Sequence, residues 1–423
     1  MASIQKETEI DPAITNVSAS EKIYSFTSEG QQMRIIYFIL FLSFMFMLYS
    51  CKNGENGDLM EITFDIGQNT TIPLSEITEE ITSIKLELTD ESIFNSDMVS
   101  KVLLCDSLVF IAEPNQLLIF DIEGKFVCSI GSKGQGPGEY VSIKDFTFDE
   151  KNKIIYILNN GRQIIGYDLD GNFLKELTLI SQSQNGGQIL SADYLNNELL
   201  LFTESIIEKQ NEENLKCFHS VIYKVNNELQ FVDSCFVRDE YWAFYRQYGS
   251  NYYLTCNNSA VYLYYQDLFS LAVNFIPALS EHKKSTKRVL LDTLYRFEGN
   301  QLIPELKLKI KRNGKDYDGS KNIQLSNIYR SSRYIFVMYS IYIEDKNTPR
   351  FIYCYDTKTG ISYNSNKYKD EFNNIEEELK VQPHRPIRPI CNDTEFFYYI
   401  HTHMDPEDLE EPNPTLYIGK LKK

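Results

Sequence analysis

The 423-residue chain is 43% apolar, 24% charged and 13% aromatic, proportions of a large globular protein and not of a disordered or fibrous one. Its 29 Tyr and 26 Phe, beside a single Trp and many Ile, Leu and Val, favour strands over helices. Asp and Glu number 59 against 42 Lys and Arg, and a net charge of −17 opposes a cleft that grips nucleic-acid phosphates by Coulomb attraction.

Residues 1–32 are polar and carry no apolar periodicity, and they precede a second methionine, Met33, that opens a complete signal-peptide pattern. The pattern predicts that translation starts at Met33 and that residues 1–32 are a start-site artefact; the alternative is an unusually long n-region. From Ile35 to Tyr49 only Ser43 is strongly polar. That run falls short of the roughly 20 residues a membrane-spanning helix needs and has the length of a signal-peptide core. Leu48-Tyr-Ser-Cys51 resembles a bacterial lipobox, with Tyr49 departing from the usual small residue. Residues 33–50 are then a signal peptide and Cys51 is lipidated as the first mature residue. An uncleaved anchor helix with an incidental cysteine is the competing reading. Residues 51–60 are glycine-rich and polar, as a flexible tether is. Lys52 stands where an Asp would favour retention at the inner membrane, so the expectation is an outer-membrane lipoprotein, facing either the periplasm or the cell surface.

Seven cysteines remain beyond Cys51, at 105, 128, 217, 235, 256, 354 and 391, an odd number with no C-x-x-C among them. Isolated core cysteines fit this best, ahead of one structural disulfide.

From residue 61 onward, short apolar or alternating runs are broken by Gly, Asn and Asp, and helical periodicity hardly persists. The weak exceptions are Pro73 to Glu80, a short helical turn, and an acidic surface stretch from Phe372 to Val381. Leu117 to Ile130 and Gln163 to Leu177 each read as strand, D-x-x-G turn and returning strand, with Asp121 and Asp168 separated by 47 residues. Each follows a further strand, Leu108 to Ala112 or Ile154 to Leu158. Weaker copies lie at Val221 to Asp233, Val261 to Leu271, Leu290 to Ile310 and Tyr334 to Gly360. A repeat of this kind predicts an all-β fold, a six-bladed β-propeller of four-stranded antiparallel blades over residues 61–423, with seven blades also compatible. Asp393 to Ile400, Leu416 to Ile418 and Glu61 to Leu88 would share the closing blade.

Between the two clear units lies Ile130-Gly-Ser-Lys-Gly-Gln-Gly-Pro-Gly-Glu-Tyr140, a sharply turned loop. It is not a P-loop, because Lys133 precedes most of the glycines and a strand follows instead of a helix. With Phe120-Asp-x-x-Gly-Lys-Phe126 ahead of it, the string resembles the NHL-type repeat of six-bladed propeller lipoproteins in Bacteroides and its relatives. Leu291 to Arg296 with Pro304, and Ile72 to Leu86, also look like that family. The resemblance implies fold and location and a structural role for Gly134, Gly136, Pro137, Gly138, Glu139 and Tyr140. It carries over no catalytic residue.

Three local constellations invite chemistry. His401 and His403 are two apart on a strand-like segment, so with Asp405 they form a candidate metal site, against the plain alternative of surface histidines. Asn313 to Gly319 is the nearest approach to a calcium loop but lacks its frame, and a turn rich in Asn, Gly and Asp explains it equally well; no cofactor is expected, with a structural calcium as the lesser alternative. Tyr241, Trp242, Phe244, Tyr245 and Tyr248 concentrate rings that either stack on sugars and anchor a protein or fill the outer blades. The expectation is a monomeric binding or scaffolding propeller, held to the membrane by lipid, whose partner is an envelope protein or a glycan and not nucleic acid. The alternative is a hydrolase, lyase or lactonase acting on a glycan or lactone at the central channel, for which Asp145 and Asp193 are the carboxylates to watch.

Overall fold

The computed structural model describes residues 59–66, 70–179, 187–195, 197–208, 216–242, 251–257, 260–266, 293–316, 323–341, 349–373, 379–380, 387–390, 393–402 and 414–423. The propeller lies within one compact unit, Leu59–Lys423.

Six four-stranded antiparallel arrays make the ring, each ordered from an inner to an outer strand. Blade 1 is Lys101–Cys105, Leu108–Glu113, Gln116–Asp121 and Phe126–Ser129. Blade 2 is Ile143–Asp149, Ile154–Asn159, Gln163–Tyr167 and Phe173–Thr178. Blade 3 is Gln188–Leu195, Glu198–Glu208, Lys216–Val225 and Phe231–Trp242. Blade 4 is Asn251–Asn257, Ala260–Gln266, Thr293–Glu298 and Gln301–Arg312. Blade 5 is Ile323–Arg330, Tyr334–Ile341, Arg350–Asp356 and Ser362–Ser365. Blade 6 takes Arg388–Ile390, Asp393–His401 and Thr415–Leu421 from the C-terminal end and its outer strand, Thr78–Lys85, from the N-terminal end. Strands from both ends of the described chain therefore lock the ring.

The second and third strands of blades 1 and 2 bury both faces, with Val109 to Ala112 and Leu117 to Phe120 in the first and Ile155 to Leu158, Ile164 and Ile165 in the second. This is why they read as continuous apolar runs while the outer strands alternate. The core lies between the blades: residues of blades 1 and 2 pack into one cluster and those of blades 2 and 3 into another.

Two expectations need adjustment. The segment near residue 61 does not join the closing blade; Met60–Asp65 pairs in parallel with the outer strand of blade 4, Met60 opposite Leu306 and Asp65 opposite Lys311. Ile62 and Phe64 decide this, because they sink among Leu306, Leu308, Tyr339 and Tyr353. The short helical turn expected within Pro73 to Glu80 is present as Leu74–Ile77, after which Thr78 enters the strand of blade 6. Phe372 and Asn373 lie in a turn and Leu379–Lys380 is a short strand, with no helix among the described residues there.

Candidate functional site

The innermost strand of a propeller blade has one edge without a strand partner, and its backbone groups need other hydrogen bonds. Between blades 1, 2 and 3 the protein supplies them with side chains from neighbouring inner strands. Lys101 of blade 1 donates from Nζ to the Phe146 carbonyl of blade 2 at 2.7 Å and to Asp145 Oδ1 at 3.0 Å. Asp145 accepts from its neighbour's Phe146 N–H at 2.8 Å and, through Oδ2, from Ala192 N–H of blade 3 at 3.0 Å. Asp193 of blade 3 accepts at Oδ1 from Tyr194 N–H at 2.9 Å and from the Thr147 hydroxyl of blade 2 at 3.3 Å. Between blades 6 and 1 the same kind of tie recurs: Arg388 Nη1 donates to the Val99 and Ser100 carbonyls, both at 3.0 Å. Register shifts just before Asp145 and just before Ser191 kink these strands where the ties begin.

The cluster combines one ammonium and two carboxylates with little water access; the side chains of Lys101 and Asp145 are 12% and 15% exposed, and Asp193 is buried. Burial pushes the Asp193 carboxyl up to about 6, with Lys101 opposing the rise and Asp145 adding to it. An acid poised near neutrality can hold or give up a proton there. Lys101 and Asp145, by contrast, already spend their charge on each other and on backbone groups, which makes the cluster first of all a fastening between blades. The carboxylates Asp145 and Asp193 lie on inner strands, as the channel reading required. Lys101 and Thr147 complete the group and escaped sequence reading, although Lys101 and Asp145 each stand four residues before the end of an inner strand, a coincidence the repeat contains.

The glycine string forms the crossing from blade 1 to blade 2. Ser132–Lys133 pairs in parallel with Glu139–Tyr140. Gly136 N–H donates to Glu139 Oε2 at 2.7 Å, Gly134 N–H to the Tyr140 carbonyl at 3.0 Å, and the Tyr167 hydroxyl to the Gly138 carbonyl at 2.8 Å. A Cβ on Gly134 would fall 1.9 Å from Glu139 Oε2. The anion nest that such a loop offers is thus filled by the chain's own carboxylate. Tyr140 is buried, and burial pushes its hydroxyl up to about 12.

The other sequence candidates are scattered. His401 is half-buried at the end of its strand, opposite Thr415; His403 and Asp405 lie outside the described residues. Among the described residues no three His, Cys, Asp or Glu converge on a metal position. In the calcium-like segment, Asn313 and Gly314 turn their N–H groups onto the Asp65 carboxylate at 2.8 and 2.6 Å, so the start of this turn presents donors, and residues 317–319 lie outside the described residues. Tyr241 and Trp242 end the outer strand of blade 3, opposite Cys217 and Lys216; Phe244, Tyr245 and Tyr248 lie outside the described residues, as does Cys51. Cys105, Cys235 and Cys354 are buried, Cys128 is half-buried, and all four are free thiols. Among the described residues no helix is long and apolar enough to cross a membrane.

A family model described as a domain of unknown function, DUF4934, matches residues 59–422. No curated protein matches the chain. Among solved structures, a Bacteroides fragilis protein described as exported is 18% identical, with 86% of this chain and 100% of that one covered at a TM-score of 0.53. The β-propeller domain of Cps50 (Swd1) from Myceliophthora thermophila is 10% identical over 77% of this chain and 97% of its own, with a TM-score of 0.38. BamB from Moraxella catarrhalis is 8% identical over 81% and 99%, also at 0.38.

Proposed function

The chain belongs to the DUF4934 family, and we propose that it is an exported lipoprotein, anchored through Cys51 at the outer membrane, whose NHL-like propeller binds or scaffolds an envelope protein or a glycan. The observation that carries the binding reading is the outer strand of blade 3. It runs twelve residues from Phe231 to Trp242. Among the described residues no further strand covers its outer edge, whereas that of blade 4 is covered by Met60–Asp65. Phe231, Val232 and Phe236 on it are 49%, 56% and 48% exposed, and the strand leads directly into the ring-rich segment around Tyr241 and Trp242. Apolar side chains beside an open strand edge suit strand addition by a protein, and rings suit stacking on sugar faces.

A photo-crosslinking residue placed at Val232 in living cells tests this, with the same residue at Ile361 on blade 5 as control, alongside a saccharide array. The expected result is a defined adduct from position 232 alone, or retention of a glycan that Phe236→Ser abolishes. Equal adducts from both positions with no glycan retained would overturn the binding reading.

A second reading, turnover of a glycan or lactone at the channel, draws on the Lys101, Asp145 and Asp193 cluster and the raised carboxyl of Asp193. It predicts turnover of some member of a glycan and lactone panel that Asp193→Asn abolishes while the fold survives.

A further inference from the structure

The outer strand of blade 4 differs from the rest of this acidic chain. From Gln301 to Asp316 this strand and the short strand Lys315–Asp316 that turns back on it carry five cations, Lys307, Lys309, Lys311, Arg312 and Lys315, and two acids, Glu305 and Asp316, on a chain of net charge −17. Leu306 and Leu308 are buried and Ile310 packs against the same core, so the lysines that alternate with them stand on the outward face. The acids nearby are largely committed. Glu61 pairs with Lys309, which holds its carboxyl below the usual range. Asp65 receives the Asn313 and Gly314 amides, and Glu305 faces Arg296 and Arg330. Asp316, the remaining acid on this rim, stands opposite Lys311 in the strand register.

This same strand is where the chain leaves the tether. Met60–Asp65 lies along it, pinned by Phe64, whose ring sits 4.7 Å from Tyr339 and 4.8 Å from Tyr353. The Tyr353 hydroxyl donates to the Thr63 carbonyl at 3.0 Å, and Asn364 Nδ2 to the Asp65 carbonyl at 3.1 Å. Only residues 52–58 separate Cys51 from Leu59. Fully extended, those seven residues span at most about 25 Å.

We propose that the outer rim of blade 4, with its stripe of Lys307, Lys309, Lys311, Arg312 and Lys315 beside the end of the tether, is the face that seats on a membrane surface of anionic phospholipid headgroups. The orientation rests on the lipid anchor at Cys51 proposed above; the affinity of the rim does not. A lipid chain and a basic patch are complementary signals, the first supplying attachment and the second supplying orientation and further affinity. The acidic remainder of the propeller is repelled by the same surface, so one rim only faces it.

The test uses the unit Leu59–Lys423, which contains every described strand and both ends of the closing blade. Its co-sedimentation is compared with phosphatidylethanolamine–phosphatidylglycerol vesicles and with neutral phosphatidylcholine vesicles. The expected result is binding to the first alone, lost at high salt. Replacing Lys307, Lys311, Arg312 and Lys315 by Gln should weaken it by at least about tenfold, since each cation near an anionic surface contributes roughly fivefold. The same number of charges removed at Lys125, Lys151, Lys358 and Lys369 should leave it unchanged. Absence of binding, or equal loss in both variants, overturns the proposal. So does retention on heparin without vesicle binding, which would assign the stripe to an acidic polymer. Because this unit lacks Cys51, failure of the anchor appears separately, as a full-length protein that takes up no lipid label.

Discussion

In blades 1 and 2 the turn between the third and fourth strands ends on Gly124 and Gly171, at φ of +88° and +81°, and each is pressed against the preceding blade. A Cβ at Gly124 would fall 2.2 Å from the Lys85 carbonyl oxygen, and one at Gly171 would fall 2.9 Å from that of Ser129. In blade 4 the equivalent turn places Gly299 at φ +54° with nothing within 4 Å of its Cβ position. There Asn300 reaches across instead, donating to Asp233 Oδ2 at 2.8 Å and to the Ser234 carbonyl at 3.1 Å. The D-x-x-G signature therefore marks blades that meet backbone to backbone, with Asp121 and Asp168 folding the turn by accepting amides two and four residues on. Where a side chain bridges the blades, the turn is released from that requirement. Blade 4 carries instead an added strand and a stripe of cations at its rim, features that no repeat dictates.

The largest expected effect lies on the added strand. Phe64 is fully buried and in contact with two tyrosines, so Phe64→Ala should cost about 3–5 kcal/mol in urea-induced unfolding. A loss below about 1 kcal/mol would mean that the strand is an ornament to blade 4 and not part of its core.

The inner wall gives the next effect, with a pH signature that the outer turns lack. The Asp193 carboxyl is raised from 3.8 to about 6 in the folded chain, so the folded state holds its proton over a range where the unfolded state has lost it. Asp193 should therefore contribute a loss of stability as pH rises from about 4 to about 6, against the opposite contribution of carboxyls held low such as Asp356, and Asp193→Asn should remove the Asp193 contribution alone. The gain at pH 7.5 is on the order of 3 kcal/mol and should vanish below pH 4. Unfolding of both proteins across that range checks it; parallel curves would contradict the burial of an ionisable carboxyl there.

The two glycine turns supply the finest distinction. Gly124→Ala combines a positive φ with a clash against backbone and should cost roughly 2–3 kcal/mol, whereas Gly299→Ala meets only the conformational penalty, about 1 kcal/mol. Equal costs would show that the signature reflects turn geometry alone and not contact between blades.

The same contrast explains what the sequence disclosed. The first two blades were readable because direct contact keeps Asp121, Gly124, Asp168 and Gly171 at a 47-residue spacing. The later blades matched in rhythm only, since blade 4 uses Asn300 and blade 5 joins Arg333 to Asp356 at 3.0 and 2.6 Å. The destination of Met60–Asp65 was hidden because a six-residue alternating strand fits any sheet edge, and the choice of blade 4 depends on the shape of the slot that receives Phe64. Asp145 and Asp193 stood out in the sequence as carboxylates for the channel, but neither their inner-strand positions nor their partners could be read there. Lys101 is 44 residues from Asp145, and only the packing of blade 2 against blade 1 brings them to 3.0 Å. The glycine string was legible as a sharply turned loop and not as a P-loop; that Glu139 turns back onto its amides is a matter of side-chain conformation.

The proposed lipid anchor at Cys51 is put to the test by labelling with radioactive palmitate followed by fractionation of the envelope. The expected result is a labelled protein in the outer-membrane fraction, and an unlabelled Cys51→Ser variant that no longer undergoes lipoprotein processing. A wild-type protein that carries no label and is recovered away from the membranes would contradict it.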